Sequence, residues 1–291
     1  MEKPNPEAVG MFELQELTEG LTLVRLQTRL SGRLSFSTFV PLFCGVMIDS
    51  GFFRARRSLA GALQAKRPEL IVHTHAHEDH IGNSAFVKTA FGVPVFAPKA
   101  SLPVLKNPSI MAYGAYRRLI WGVPEGFEAN ALDGTLDAGK VRLMAIPTPG
   151  HAHAHVVFFE PERRWAFLGD LFLSAKVPCA RPYENAHDLM DSLRRVLDLR
   201  PKLAFCYHKG VLSDPQSALK GKLAFLEGLR EAILPLHEKG MDTASIARNV
   251  LGQDPWLMRA VSRGDFSGIH LVRSFLRPAG EGYEPPRVAL S

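Results

Sequence analysis

The run His75-Ala76-His77-Glu78-Asp79-His80 places four potential metal donors within six residues. It follows Glu69-Leu70-Ile71-Val72-His73, an apolar stretch that reads as a strand ending in a loop. Imidazoles at i and i+2 converge on one ion when the backbone leaves a strand in an extended loop. Asp79 and His80 are then able to turn toward a second position. Imidazole and carboxylate in these numbers suit zinc, iron or manganese better than calcium or magnesium. The chain has 11 histidines in 291 residues, and three His and one Asp at these spacings arise by chance in roughly one such sequence in a thousand.

The run resembles the HxHxDH signature of the metallo-β-lactamase superfamily, and Ile81-Gly82 continues the likeness. Val46-Met47-Ile48-Asp49-Ser50-Gly51 is similar to the family strand that ends in a buried Asp. Thr148-Pro149-Gly150-His151, Gly169-Asp170 and Cys206-Tyr207-His208 follow in the family's order, so the resemblance covers about residues 20 to 210. It implies two divalent metal ions, zinc first, with iron or manganese as alternatives. His75, His77 and His151 would hold one ion and Asp79, His80 and His208 the other, with Asp170 between them. Asp79 would also orient the nucleophile and shuttle a proton, which makes it the candidate catalytic residue. Asp49 and His155 would support the ligands from behind.

The sequence departs from the family pattern at three places. Asn83 stands where many relatives have a second Gly, His153 is additional, and His208-Lys209-Gly210 replaces a frequent Gly-His-Gly. The last of these leaves a one-metal arrangement open. His73 continues the strand alternation and reads as a core or supporting histidine, His153 as an exposed polar residue, and Cys206 as a buried thiol. Structural zinc favours four closed ligands rich in Cys. Seven His and Asp candidates without a Cys point instead to an open, catalytic site.

The implied activity is hydrolysis of a small acyl compound by a metal-activated water, with thioesters first and lactones or other esters second. The Thr-Pro-Gly-His and Gly-Asp-Leu-Phe strings are similar to those of the glyoxalase II-like branch. Alternatives on the same scaffold are a phosphodiesterase or RNase and a mononuclear-iron sulfur dioxygenase. Between two family motifs, the segment from Ser101 to Glu125 holds Tyr113, Tyr116 and Arg117, which are candidates for the substrate pocket.

The elements that must position these residues divide the chain in two. Residues 11–210 read as the catalytic domain, in which short apolar runs alternate with turns. Val141 to Ile146 is a strand, and Val156–Phe159 and Trp165–Leu168 form a hairpin. Asn83-Ser84 is placed to cap a helix over Ala85 to Ala90, closed by Gly92. Residues 211–277 read as a helical region. Asp214 and Pro215 start a helix whose Leu219, Leu223, Leu226, Leu229, Ile233 and Leu236 make one apolar face, with Pro235 expected to kink or end it. Thr243 is expected to cap a second helix that runs to Gly252, with Ile246 and Val250 inward. The implied fold is therefore α/β, a four-layer αβ/βα sandwich with a C-terminal helical appendage.

Bulk properties set few limits. The hydrophobic fraction is 46%, and three scattered cysteines make no disulfide framework. A reducing cytoplasm is therefore expected. Net charge is +6, yet the basic residues are dispersed, so nucleic acid is not the expected partner. No apolar stretch is long enough to span a bilayer. The expected partner is a small-molecule substrate, and assembly into a homo-oligomer stays open. The Pro-rich first ten residues and the tail from Pro278 read as loosely ordered.

Overall fold

The computed structural model describes residues 11–18, 20–33, 36–252 and 262–281. The first ten residues and the Pro285-Pro286 part of the tail lie outside the described residues. In chain order the first seven strands are β1 (Met11–Thr18), β2 (Leu21–Gln27), β3 (Thr38–Phe43), β4 (Val46–Ile48), β5 (Leu70–Val72), β6 (Val95–Ala97) and β7 (Asn130–Ala131). They form one sheet in that same order. The next six are β8 (Thr135–Ala138), β9 (Val141–Pro147), β10 (Val156–Glu160), β11 (Trp165–Gly169), β12 (Leu203–Cys206) and β13 (Gly210–Leu212). They form a second sheet in the order β13-β12-β11-β10-β9-β8.

Three apolar clusters make this a four-layer α/β/β/α arrangement. Between the sheets, Leu21, Leu23, Phe43, Ile48 and Val72 of the first meet Leu143, Phe158, Phe167 and Phe205 of the second. The outer face of the first sheet packs Leu59 and Leu63 of the helix Arg56–Ala65 and Val87 of the helix Ser84–Phe91. On the outer face of the second, Val157, Phe159 and Leu168 pack against Leu193, Leu226, Ile246 and Val272, which belong to four helices. These are Ala186–Asp198, Pro215–Glu238, Thr243–Leu251 and Gly268–Phe275. The C-terminal helices thus share their apolar cluster with the second sheet.

Strand direction gathers the candidate residues at one edge. β4 and β5 are parallel, with Ile48 paired to Val72, so Asp49 and the segment from His73 leave the first sheet at the same end. In the second sheet β9 and β11 both run antiparallel to β10, and β11 runs parallel to β12. The loops carrying His151, Asp170 and His208 therefore also follow the C-terminal ends of aligned strands. Val156 N–H donates to Thr74 O at 2.9 Å and ties the two edges together.

Local expectations meet the structure unevenly. The hairpin of β10 and β11 forms, and Asp214 caps the long helix by accepting from Ser217 N–H. Pro235 does not end that helix: it lies inside it, about one turn before Glu238. The second helix is capped by Asp242 and not by Thr243, because the Asp242 carboxylate accepts from both Ala244 and Ser245 N–H. Ile246 is buried there, while Val250 is only half-buried. Asn83 precedes its helix without capping it through its side chain. Its amide donates instead to Ser50 O and Phe52 O, both at 2.9 Å, and pins the loop after β4.

Candidate metal centre

Two groups of donor atoms converge where the sheet edges meet. His75, His77, His151 and Asp170 offer atoms within 4.8 Å of one another, and so do Asp79, His80, Asp170 and His208. In the first group, His77 Nδ1 lies 2.8 Å from His75 Nε2 and 3.0 Å from His151 Nε2, and His151 Nε2 lies 3.3 Å from Asp170 Oδ2. In the second, Asp170 Oδ1 is 3.4 Å from both His80 Nε2 and His208 Nε2, and His208 Nε2 is 3.2 Å from Asp79 Oδ2. Asp170 faces one group with each oxygen.

The far nitrogen of every one of these five rings is held. His75 Nδ1 lies 3.0 Å from Thr74 Oγ1, whose hydroxyl donates to Asp49 Oδ2 at 2.7 Å. His77 Nε2 lies 3.0 Å from the Tyr183 hydroxyl, and His80 Nδ1 lies 2.7 Å from Asp49 Oδ2. His151 Nδ1 lies 3.3 Å from Glu184 Oε1, and His208 Nδ1 lies 3.1 Å from Ser37 O. A neutral ring whose outer nitrogen donates presents a bare lone pair inward, which is the tautomer a metal ligand needs.

Asp49 stands behind the histidines rather than among them. Its φ of 60° puts it in the left-handed region, which Asp tolerates better than most residues. The fully buried carboxylate accepts from Thr74 N–H at 2.9 Å as well as from Thr74 Oγ1 and His80. His73 also faces it at 3.3 Å and meets Ser84 Oγ at 2.7 Å, outside both donor groups. Burial opposes the charge on Asp49, but His80 and His73 outweigh it and hold the carboxyl below its usual range. Burial likewise opposes a charge on His80, yet Asp49, Asp170 and Asp79 together raise that ring to about 10. His155 takes a different role: Asp170 N–H donates to its Nε2 at 3.1 Å, and its Nδ1 meets Thr148 Oγ1 at 2.8 Å. Burial, with His151 beside it, lowers His155 to about 3 and keeps it neutral.

These features test whether metal ions fit. Asp79 and Asp170 are buried, and among the described residues neither has a Lys or Arg within ion-pair distance; only imidazoles face them. His80 Nε2 and Asp170 Oδ1 are buried without a hydrogen-bond partner. Such atoms are costly unless something cationic lies between them. The donor set is all His and Asp, which suits a borderline divalent ion. The residues fit.

The loops are shaped for this purpose. Gly150, at φ +126°, precedes His151, and a Cβ there would come within 2.4 Å of Leu189 N. A Cβ on Gly82 would lie 2.3 Å from Phe53 N, so the helix Glu78–Ile81 can sit against the loop after β4 only with Gly there. Tyr207 stacks on His80 with centroids 3.8 Å apart, accepts from Gly51 N–H at 2.8 Å and donates to Asp79 O at 2.9 Å.

Of the pocket candidates, Tyr113 is buried and its hydroxyl has no hydrogen-bond partner among the described residues. The Tyr116 hydroxyl donates to Asp265 Oδ2 at 2.5 Å. Arg117 is buried and grips Glu78 with Nε and Nη2, so it braces the donor run itself. His153 is exposed and Cys206 is buried with its Sγ toward Phe172 O. Three residues that contact the site escape a reading of the sequence. Tyr183 and Glu184 touch His77 and His151, and Arg181 Nη1 donates to the Tyr183 hydroxyl at 2.7 Å. The one signal for them was a structureless stretch between Gly169-Asp170 and the Asn185 cap, since loops of that length are commonly functional.

A model of the metallo-beta-lactamase superfamily matches residues 44–208, and the chain belongs to that family. A hydroxyacylglutathione hydrolase of Bdellovibrio bacteriovorus is 28% identical over 159 residues, 52% of this chain and 54% of that one. Another, of Hyphomonas neptunium, is 28% identical over 193 residues, 61% of this chain and 68% of that one. The match thus spans between about half and two thirds of these relatives' length, on the glyoxalase II-like branch that the motifs resemble. A solved metallo-beta-lactamase family protein of Thermus thermophilus superimposes with a TM-score of 0.67 at 21% identity, covering 89% of this chain and 94% of that one. The fold is shared over most of both chains.

Proposed function

We propose that the protein is a two-metal hydrolase of small acyl compounds, thioesters first. One observation carries this reading: two complete groups of four donors share Asp170. Divalent ions held there acidify a water toward a pKa of about 7 and polarise a carbonyl oxygen. The protein's own part is orientation and proton handling. Asp79, whose Oδ2 faces His208, would accept a proton from the attacking water and pass it to the leaving group. Tyr113, whose buried hydroxyl has no hydrogen-bond partner among the described residues, would donate to a substrate oxygen, while Tyr116 and Arg117 are committed to Asp265 and Glu78. His208 within its group supports two ions over one, and hence a hydrolase over a one-iron oxidoreductase. The likeness to hydroxyacylglutathione hydrolases supports a thioester, and the dispersed basic residues support a small molecule over nucleic acid. Zinc and a cytoplasmic setting fit the donor chemistry and three cysteines that form no disulfide. Among the described residues no helix is long and apolar enough to cross a membrane.

The test is metal analysis of the purified protein coupled to a panel of thioesters, lactones, esters and phosphodiesters. Two ions per chain and thioester turnover are expected, with both lost in a folded His77→Ala variant. Full activity in that variant, or turnover of phosphodiesters alone, overturns the reading.

A further inference from the structure

A narrow pocket leads away from the first donor group toward the C-terminal helices. His151, Asp170 and Glu184 form one continuous part of its lining, since His151 lies 3.3 Å from each of the other two. Leu173 and Val177 of the following loop, Phe225 and Leu226 of the helix Pro215–Glu238, and Leu271 of the last helix form apolar walls. One further lining residue breaks this pattern. Lys222 is 5% exposed and stands on the same helix face as Leu219, Leu226, Leu229 and Ile233, all buried.

A lysine in such a stripe is costly without partners for its charge. Its Nζ donates to Leu171 O at 2.7 Å, and among the described residues that is the only hydrogen bond it makes. No carboxylate lies within ion-pair distance of it among the described residues, and the Phe172 ring centroid is 6.0 Å away. An ammonium has three donors, so two are left over in a pocket that is apolar apart from its His151-Asp170-Glu184 side. Leucine or methionine would complete the stripe at no such cost. Among the described residues these two donors have no acceptor, and Lys222 lines the pocket.

We propose that this pocket takes the acyl part of the substrate and that Lys222 binds a carboxylate carried on that acyl chain, so that the substrates are esters or thioesters of short dicarboxylic acids. The proposal rests on the hydrolase reading above. The chain is short because Lys222 is anchored on Leu171, the residue next to Asp170, so only a few bonds separate the reacting carbonyl from the ammonium. The apolar walls contact the methylenes between the two ends.

Calorimetric binding of glutarate and pentanoate to the metal-loaded protein tests this. Both acids have one carboxylate for the metals and the same carbon count, so their ratio isolates the second carboxylate. A charge-assisted hydrogen bond to a buried group corresponds to a preference for glutarate of roughly 10–100-fold. Lys222→Met should reduce the ratio to within about threefold while pentanoate binding is kept, and Leu226→Trp should weaken both acids by filling the pocket. Equal affinities in the unmodified protein, or an undiminished preference in Lys222→Met, overturn the proposal and leave Lys222 as a tie between helix and loop. The two levels separate cleanly: failure of the whole ester panel refutes hydrolysis, whereas the binding ratio decides the pocket either way.

Discussion

The two sides of His151 are built in opposite ways. On the donor side, each histidine has its outer nitrogen held, His75 by the neighbouring Thr74 and the other four by residues of other segments, and the inner donor atoms all point to common centres. On the pocket side, away from Asp170 and Glu184, the walls are mostly hydrocarbon from several separated segments, and the buried ammonium of Lys222 has one hydrogen bond among the described residues. Chemistry that must be repeated from one substrate to the next is fixed by short polar contacts. Selection is left to a surface that a few side-chain changes can reshape. The difference teaches where variation is tolerated: near the strand ends it is confined by geometry, and on the helices it is limited only by packing.

The sharpest way to break the comparison is at Asp170, the residue that serves both donor groups. Asp170→Ala should lower bound metal from two ions per chain to one or none, and depress hydrolysis by more than the roughly 10–100-fold expected for losing a supporting partner. Metal content by mass spectrometry and initial rates on the best thioester measure this. Two ions retained with near-normal rates would mean that the donor side is not the unit described.

Asp49→Ala tests the support behind the donors. The carboxylate is fully buried and is the common acceptor for Thr74 N–H, Thr74 Oγ1 and His80. Its removal leaves these donors without an acceptor, for which about 3–5 kcal/mol of lost stability is expected. Urea unfolding of the metal-free protein reads it directly. A loss under about 1 kcal/mol would show that water or a shifted side chain takes over the acceptor's place.

How much of this was legible in the sequence follows from the same contrast. His75, His77, Asp79 and His80 declare themselves because strand-to-loop geometry packs them into six consecutive residues. His151, Asp170 and His208 stand in short strings after recognisable strands, so order along the chain located them. Glu78 occupies an unassigned position of the run, although Arg117, 39 residues on, grips it inside the protein. Tyr183, Glu184 and Arg181 belong to no periodic pattern, and only folding brings them to His77 and His151. Lys222 lay unnoticed in a leucine stripe, since helical periodicity records the face and not the depth of burial. The miss at Thr243 has a smaller cause: Asp242 and Thr243 are both good caps, and the acid one position earlier wins by accepting from two amides.

The mildest and most specific test concerns the charge on Lys222. Burial lowers its pKa to about 8, against about 10.4 in an unfolded chain. Between these values the unfolded chain holds the extra proton, so stability rises with pH across that window, by at most about 1.4 kcal/mol per pH unit. Below pH 8 both states are charged and the folded protein carries the full cost of the buried ammonium. Lys222→Met should therefore be more stable than the unmodified protein at pH 7.5, and this advantage should shrink toward pH 10.5. Groups that do not sense Lys222 cancel in the difference between the two proteins, which paired urea titrations at each pH provide; Glu184, Cys206 and Asp170, which act on it electrostatically, do not. A difference that stays constant with pH would show that the ammonium already has all the partners it needs, and the contrast between the two sides of His151 would vanish. With glutarate saturating the pocket the pH dependence should flatten, because a bound carboxylate keeps the lysine charged on both sides of pH 8.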